Sequence, residues 1–175
     1  MEATHTALII EVPAAEPAVS ARRIALDRAA SWGVPAHITL VFPFLPPDKI
    51  NDRILAAIQQ IAAAETPFDV TLDRIGWFGD TVVWLAPDPA QPFIALTAAL
   101  TARFPQAQPY GGAFDETIPH LTIGHDHPRP TLEAAATAVT HHLPITTTVT
   151  SIRLIAGARE PGDNWHAVAD FPLGA

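Results

Sequence analysis

Stretches of alternating or continuous apolar character divide the chain into candidate strands, and segments whose apolar residues recur with helical spacing separate them. The strand pattern predicts strands at residues 6–12, 36–42, 68–75, 81–85, 118–125, 145–155 and 165–171. The helical pattern predicts helices at residues 17–31, 48–65, 89–104 and 131–141. Prolines and glycines fall between most of these segments, as expected where a strand or helix ends.

The predicted elements occur in an order that repeats. A strand, a helix, a histidine-containing strand, a helix and a strand are followed by the same series from Thr81, with one closing strand. This internal repeat predicts two similar lobes related by an approximate two-fold axis. We expect one two-lobed domain over residues 1–175, with the repeat boundary near residues 76–81.

Charge and composition narrow the classes of partner. The 175-residue chain has a formal net charge of −8, and its nine arginines and one lysine are scattered along it. Binding to long nucleic acid depends on many simultaneous phosphate contacts and is therefore disfavoured, whereas a few arginines suffice for a small phosphorylated ligand or a short nucleotide end. Because the chain has no cysteine, disulfides, thiolate zinc sites and cysteine nucleophiles are excluded.

The sequence has no sign of a membrane-bound or exported protein. No basic segment followed by an apolar run stands near its start, and no apolar run approaches the roughly 20 residues that a membrane span needs. These features predict a soluble, cytoplasmic protein with no membrane partner. The sequence leaves the oligomeric state open.

Two predicted strands carry the same unusual pair of polar residues. VPAHITLVFPF contains His37 and Thr39 in an otherwise apolar run, and IPHLTIGH contains His120 and Thr122. Because alternate side chains of a strand share a face, each histidine points with its threonine to one side, and the intervening apolar residue points to the other. His37 and His120 are 83 residues apart, close to half the chain, so a two-fold would bring both near a shared axis.

Two histidines and two threonines around one cleft fit acid–base chemistry on a phosphodiester. A neutral histidine would take a proton from the attacking oxygen while its protonated partner gives one to the leaving oxygen, and the hydroxyls would hold the nonbridging oxygens. Such a site needs neither a metal ion nor another cofactor. Composition alone predicts about 0.8 His-x-Thr triplets in a chain of this kind, so a single triplet is weak evidence for a site. The stronger evidence is that the two triplets occupy equivalent positions in the repeat. Which histidine is acid and which is base stays open.

HITL at residues 37–40 and HLTI at residues 120–123 resemble the paired His-x-Thr-x motifs of the 2H phosphoesterase superfamily, which includes the 2′-5′ RNA ligase-like proteins and the cyclic nucleotide phosphodiesterases. The similarity extends to TALIIEVP, GVPAHITLVFPFLPP and FPQAQPYGGAFDETIPHLTIGH, and so covers most of the chain. The resemblance implies a bilobal α+β fold in which antiparallel sheets line a central cleft, with helices outside.

The resemblance also implies an activity and the residues that carry it. It implies a metal-independent enzyme that hydrolyses a 2′,3′-cyclic phosphate, or joins and opens 2′-5′-linked phosphodiesters. His37 and His120 would be catalytic, and Thr39 and Thr122 would bind the phosphate oxygens. Relatives that act on RNA are expected to have a basic surface near the cleft, so the acidic balance of this chain favours a small cyclic nucleotide-type phosphate or a short RNA end.

Three further residues are candidates for substrate binding. Tyr110, in a glycine-containing loop before the second motif, is a candidate for stacking on a base. Arg153, in the strand at residues 145–155, is a candidate for contact with the phosphate, and Arg159 follows in the next loop. For each of these the alternative is an ordinary core or surface role. Other aromatic candidates are Phe42, Phe44, Trp84 and Trp165.

His125 and His127 follow the second motif, and together they resemble a pair of metal ligands. In a regular strand His125 would lie on the face opposite His120. Asp126 and Pro128 indicate that the strand has already ended, so we interpret this segment as a solvated loop and predict no metal site.

Two functions from other classes stay open. A noncatalytic module that binds a nucleotide or an RNA end could use the same cleft, although binding alone does not require two histidines. A histidine metal site would need carboxylate partners at suitable spacing, which the sequence does not offer.

Overall fold

The computed structural model describes residues 2–112, 116–160 and 162–174, which form eight β-strands and five α-helices. The strands are β1 (His5–Glu11), β2 (His37–Val41), β3 (Phe68–Phe78), β4 (Val82–Asp88), β5 (Leu121–His125), β6 (Ile145–Val149), β7 (Ser151–Gly157) and β8 (His166–Pro172). The helices are α1 (Glu16–Leu26), α2 (Arg28–Ser31), α3 (Asp52–Ala63), α4 (Gln91–Arg103) and α5 (Arg129–Thr140). None of these helices is long and apolar enough to cross a membrane.

The strands form two antiparallel four-stranded sheets. The first sheet has the order β2-β1-β7-β8, and the second sheet has the order β5-β4-β3-β6. The two orders correspond, because each begins with a histidine strand at the edge and continues with the strand that opens the corresponding repeat. The predicted α+β fold with two similar antiparallel lobes is confirmed.

The two halves of the sequence do not form separate sheets. Strands β7 and β8 come from the C-terminal half and complete the first sheet beside β1, while β3 from the N-terminal half joins β4 in the second sheet. Residues 76–81, the expected boundary of the sequence repeat, cover the end of β3 and the turn that leads into β4. Each lobe is therefore built from both halves of the chain.

The β-branched run at residues 145–155 forms two strands, and the prediction of a single strand is wrong. β6 pairs with β3 in the second sheet, β7 pairs with β1 in the first sheet, and Thr150 separates them. Residues that favour strands continue through Thr150, so local propensity does not show that the chain changes sheets there.

The helix predicted over residues 17–31 is divided at Asp27. The backbone of Asp27 is extended (φ −117°, ψ 118°), and its carboxylate accepts a hydrogen bond from the Ala29 backbone N–H at the start of α2. Aspartate competes in this way with the helical backbone for hydrogen bonds, which makes it a favourable cap and a poor interior residue.

Helices cover one face of each sheet. α1 and α5 pack against strands of the second sheet, and α3 and α4 pack against strands of the first. The apolar residues that alternate with the motif residues are buried in the core, and they are Ile38, Leu40, Leu121 and Ile123. The two histidine strands β2 and β5 contact each other. The seam between the sheets therefore runs between the two motifs.

A buried ion pair anchors the segment that leads into β2. Arg23 donates hydrogen bonds to the Asp27 carboxylate at 3.2 and 3.0 Å, and to the backbone carbonyl of Val34 at 3.1 Å. Arg23 is 2% exposed and Asp27 is 8% exposed. Because Val34 lies three residues before His37, the pair fixes the path of the chain into the first motif.

Replacing Arg23 by methionine should lower the free energy of unfolding by about 3–5 kcal/mol, because the Asp27 carboxylate would stay buried without its partner. The matched variant Arg22→Met, at an exposed position of the same helix, should change it by less than about 0.5 kcal/mol. Chemical denaturation of both variants measures the difference. Equal stability of Arg23→Met and the unaltered protein would show that this pair does not anchor the segment.

Candidate functional site

The structure brings both His-x-Thr pairs to the seam between the two sheets. His37 is the first residue of β2, and His120 directly precedes β5. Thr39 and Thr122 follow two positions later and so lie on the same face as their histidines. The residue between the members of each pair is buried in the core. The four side chains that the sequence singles out therefore lie where β2 and β5 meet.

Both imidazoles are held by the same kind of backbone hydrogen bond. The Nδ1–H of His37 donates to the carbonyl oxygen of Pro35, and that of His120 donates to the carbonyl oxygen of Ile118, each at 2.7 Å. A carbonyl oxygen can only accept, so each neutral ring carries its proton on Nδ1. Within the described residues neither Nε2 has a hydrogen-bond partner. Each ring therefore leaves one basic nitrogen for the cleft.

The environment favours the neutral form of both rings. Desolvation, followed by the positive charge of Arg23, lowers the pKa of His37 from 6.5 to about 4. Desolvation also lowers the pKa of His120. The backbone hydrogen bonds oppose these shifts, as does the charge of Asp27 on His37. A positive charge on His120 lowers the pKa of His37 as well, so the two rings interact across the seam.

Aromatic residues of the second sheet surround His120. Its ring meets Phe78 edge-on at 4.8 Å between centroids and lies 5.8 Å from Trp84. The indole of Trp84 in turn covers Gly76, where any Cβ would clash with it. The Nε1–H of Trp84 is buried, and the described part of the chain offers it no acceptor. His120 is therefore fixed by a carbonyl on one side and by two rings on the others.

A pocket of about 250 Å³ opens beside His37 and Thr39 on the first sheet. Aromatic and apolar side chains form most of its wall, and two arginines and a histidine also reach it. Among its lining residues are Phe42, Tyr110, Trp165, Arg28, Arg159 and His125. Within the described part of the chain, His120 and Thr122 do not line it. The pocket is thus offset to the His37 side of the seam.

β-bulges in the two histidine strands bring one further residue after each motif to the cleft face. The register of each strand against its neighbour shifts by one residue just after the motif threonine. The next side chain on the cleft face is then the third residue after the threonine. This residue is Phe42, directly after β2, and His125, at the end of β5, and both line the pocket. The expected placement of His125 opposite His120 holds only for a regular strand and is wrong here.

The segment after His125 forms no metal cluster within the described residues. The Nε2 of His125 lies 3.2 Å from the Asp126 carboxylate, and both side chains are about half exposed. His127 is exposed.

Tyr110 lies at the pocket and Arg153 lies outside it. The backbone N–H of Tyr110 donates to the carbonyl of Phe42 at 2.6 Å, and burial raises the pKa of the phenol. Arg153 donates to the Asp170 carboxylate at 2.6 and 3.0 Å and to the Glu11 carboxylate at 2.7 Å. A phosphate would compete with two carboxylates for this guanidinium. We therefore leave Arg153 out of the proposed phosphate site.

The other aromatic candidates divide between pocket and core. Phe42 and Trp165 line the pocket. Phe44 is 5% exposed and packs edge-on against Phe104 in the core. Trp32 also lines the pocket, and no pattern in the sequence singled it out because it lies in the turn between α2 and β2.

The sequence profile of the 2′-5′ RNA ligase superfamily matches residues 11–161, a span that includes both motifs. The chain belongs to this superfamily. The membership agrees with the resemblance of the motifs to those of the 2H phosphoesterases. A search of curated proteins found no significant match.

Solved structures share the fold over nearly the whole chain. E. coli LigT complexed with 3′-AMP is 20% identical, with a TM-score of 0.61 over 99% of this chain and 100% of that one. The protein TT0787 of Thermus thermophilus is 17% identical, with a TM-score of 0.68 over 97% of each chain. E. coli LigT also has structures with NADP+, ATP and phosphate. At these identities the likeness shows the shared 2H phosphoesterase fold.

Proposed function

We propose that this protein is a metal-independent phosphoesterase that acts on a 2′,3′-cyclic phosphate or a 2′-5′-linked phosphodiester, with His37 and His120 as acid and base. The observation that carries the proposal is the matched pair of Nδ1–carbonyl hydrogen bonds, which leaves both Nε2 atoms for one cleft. Superfamily membership and the fold shared with a nucleotide-binding protein support a nucleotide-type substrate. The net charge of −8 favours a small cyclic phosphate or a short RNA end over long RNA.

In the hydrolytic direction, the Nε2 of the neutral histidine takes a proton from a water molecule whose oxygen attacks phosphorus. The bond from phosphorus to the ribose 3′ oxygen breaks, and that oxygen takes a proton from the Nε2–H of the second, protonated histidine. The product is a 2′-phosphate with a free 3′-hydroxyl. When the 5′-hydroxyl of another strand replaces water, the same steps form a 2′-5′ linkage.

Thr39 and Thr122 would hold the nonbridging oxygens of the phosphate. Their hydroxyls lie on the same strand faces as the histidines, and donors fixed before the reaction stabilise developing charge without reorganisation. Binding of the substrate also changes the protonation state of the two histidines. Because burial keeps both rings neutral, the negative phosphate favours protonation of one of them when it enters between them.

Replacing His37 or His120 by alanine should lower kcat on a nucleoside 2′,3′-cyclic phosphate by at least about 100-fold, because each change removes a proton-transfer group. Thr39→Val and Thr122→Val should each lower kcat/KM by about 10-fold to 100-fold through loss of a phosphate donor. His142→Ala, at an exposed position after α5, is the control and should keep full activity. Mass analysis of the product, with assignment of the hydroxyl that keeps the phosphate, measures turnover.

Activity in these assays should persist with a chelator present. Full activity in both histidine variants would refute the proposal. A cyclic phosphate that binds saturably yet is recovered unchanged would favour a noncatalytic binding module.

The pH dependence of kcat/KM should be bell-shaped with its optimum below pH 6.5. The histidine that acts as base must be neutral, so activity is lost as the pH falls through its pKa. The histidine that acts as acid must be protonated, so activity is lost as the pH rises through its pKa. In the free protein the pKa of His37 is lowered to about 4 and that of His120 is lowered below 6.5. The rise and the fall of the profile should therefore both occur at acidic pH, and the two apparent pKa values describe the interacting histidine pair and not either residue alone. The optimum of kcat should lie at higher pH, because bound phosphate favours protonation. A kcat/KM optimum above about pH 7.5 would contradict this account.

A further inference from the structure

The pocket beside His37 has an aromatic wall. Trp165 and Trp32 are stacked at 6.2 Å between ring centroids with an angle of 22°, and Phe42 meets Trp165 edge-on at 6.1 Å. Tyr110 lines the same pocket. A volume of about 250 Å³ lies just below the roughly 300–1,000 Å³ of sites for drug-sized ligands. The pocket therefore suits a ligand smaller than a typical drug, and its aromatic wall suits a planar ring such as the base of a nucleoside.

Two arginines reach this pocket, and among the residues that the structure describes neither has a carboxylate partner. Arg28 and Arg159 both line it, and within the described ranges neither forms an ion pair. The guanidinium of Arg159 lies 5.7 Å from the centroid of the Phe42 ring, close enough for a cation–π contact that holds it against the wall. Arg153, on β7, by contrast forms ion pairs with the carboxylates of Glu11 and Asp170.

The nearby acidic group does not cancel these two charges. Asp27 lines the pocket, but its carboxylate accepts hydrogen bonds from the buried guanidinium of Arg23 and from the Ala29 backbone N–H. Arg23 therefore compensates Asp27, and the charges of Arg28 and Arg159 remain available. Guanidinium groups whose charge is not compensated by a carboxylate bind phosphate oxygens through charge-assisted hydrogen bonds.

We propose that Arg28 and Arg159 form a second anion subsite, which binds the phosphate on the 5′ side of the nucleoside whose cyclic phosphate reacts at His37. This inference rests on the proposed function. The base lies against the aromatic wall, the 2′,3′ edge of the ribose faces His37 and Thr39, and the 5′-phosphate reaches the arginines. The protein then prefers a nucleoside 2′,3′-cyclic phosphate that carries a 5′-phosphate over one that ends in a 5′-hydroxyl.

The kinetic test compares adenosine 2′,3′-cyclic phosphate with the same compound bearing a 5′-phosphate. The 5′-phosphate should raise kcat/KM by about tenfold or more, mainly through KM, since one hydrogen bond to a charged group is worth about that factor. The double variant Arg28→Gln/Arg159→Gln should lose this gain, so that its kcat/KM values for the two compounds become equal. Arg53→Gln, at an exposed position on α3, is the control and should keep the gain. A gain that survives in the double variant would overturn the proposal.

A binding test separates this subsite from the proposed catalysis. Isothermal titration should give 5′-AMP an affinity about tenfold higher than that of adenosine, and the double variant should bind the two equally. Equal affinities in the unaltered protein would overturn the subsite whatever the turnover. The predicted difference in binding, found in a protein that turns over no cyclic phosphate, would support the subsite and reject the catalytic proposal.

Discussion

The hydrogen bond from each motif histidine to the carbonyl two residues before it is the constraint on which the site depends. It forms identically for His37 and His120, at 2.7 Å in both cases. A flexible imidazole with its proton on either nitrogen would offer a mixture of donor and acceptor to the cleft. With Nδ1 occupied by a carbonyl, each ring can only receive or give a proton through Nε2. Local backbone geometry thus gives both imidazoles the same orientation and tautomer, as the proposed acid–base pair requires.

The fold explains why these two local arrangements meet. Strand exchange between the halves builds each sheet from both repeats, and it leaves a histidine strand at one edge of each sheet. The two edges contact each other under helices that cover the sheets. The lobes differ in what surrounds the shared motif, because Trp84 and Phe78 fill the space beside His120 while a pocket stays open beside His37. The proposed catalytic pair therefore lies in an asymmetric cleft, with the pocket proposed for the nucleoside on one side only.

Much of this arrangement could be predicted from strand periodicity. Alternation placed His37 and Thr39 on one face and Ile38 on the other, and the repeat predicted that a second pair would meet them. Periodicity failed where the backbone departs from a regular strand, because a one-residue bulge reverses the face of every later residue and so moved His125 into the cleft. It also could not show that Arg153 is held by two carboxylates distant in sequence, since ion pairing depends on the tertiary fold.

The most direct test of the central claim is the tautomer of the two motif histidines, read from long-range ¹H–¹⁵N correlation spectra of the labelled protein at about pH 7.5, above the ordinary histidine pKa. Burial keeps both rings neutral at that pH, and the carbonyl hydrogen bonds should hold the proton of each on Nδ1. The account predicts the Nδ1–H pattern for both His37 and His120, with assignment by single His→Gln variants. An Nε2–H tautomer in either ring, or rapid exchange between the two forms, would contradict it.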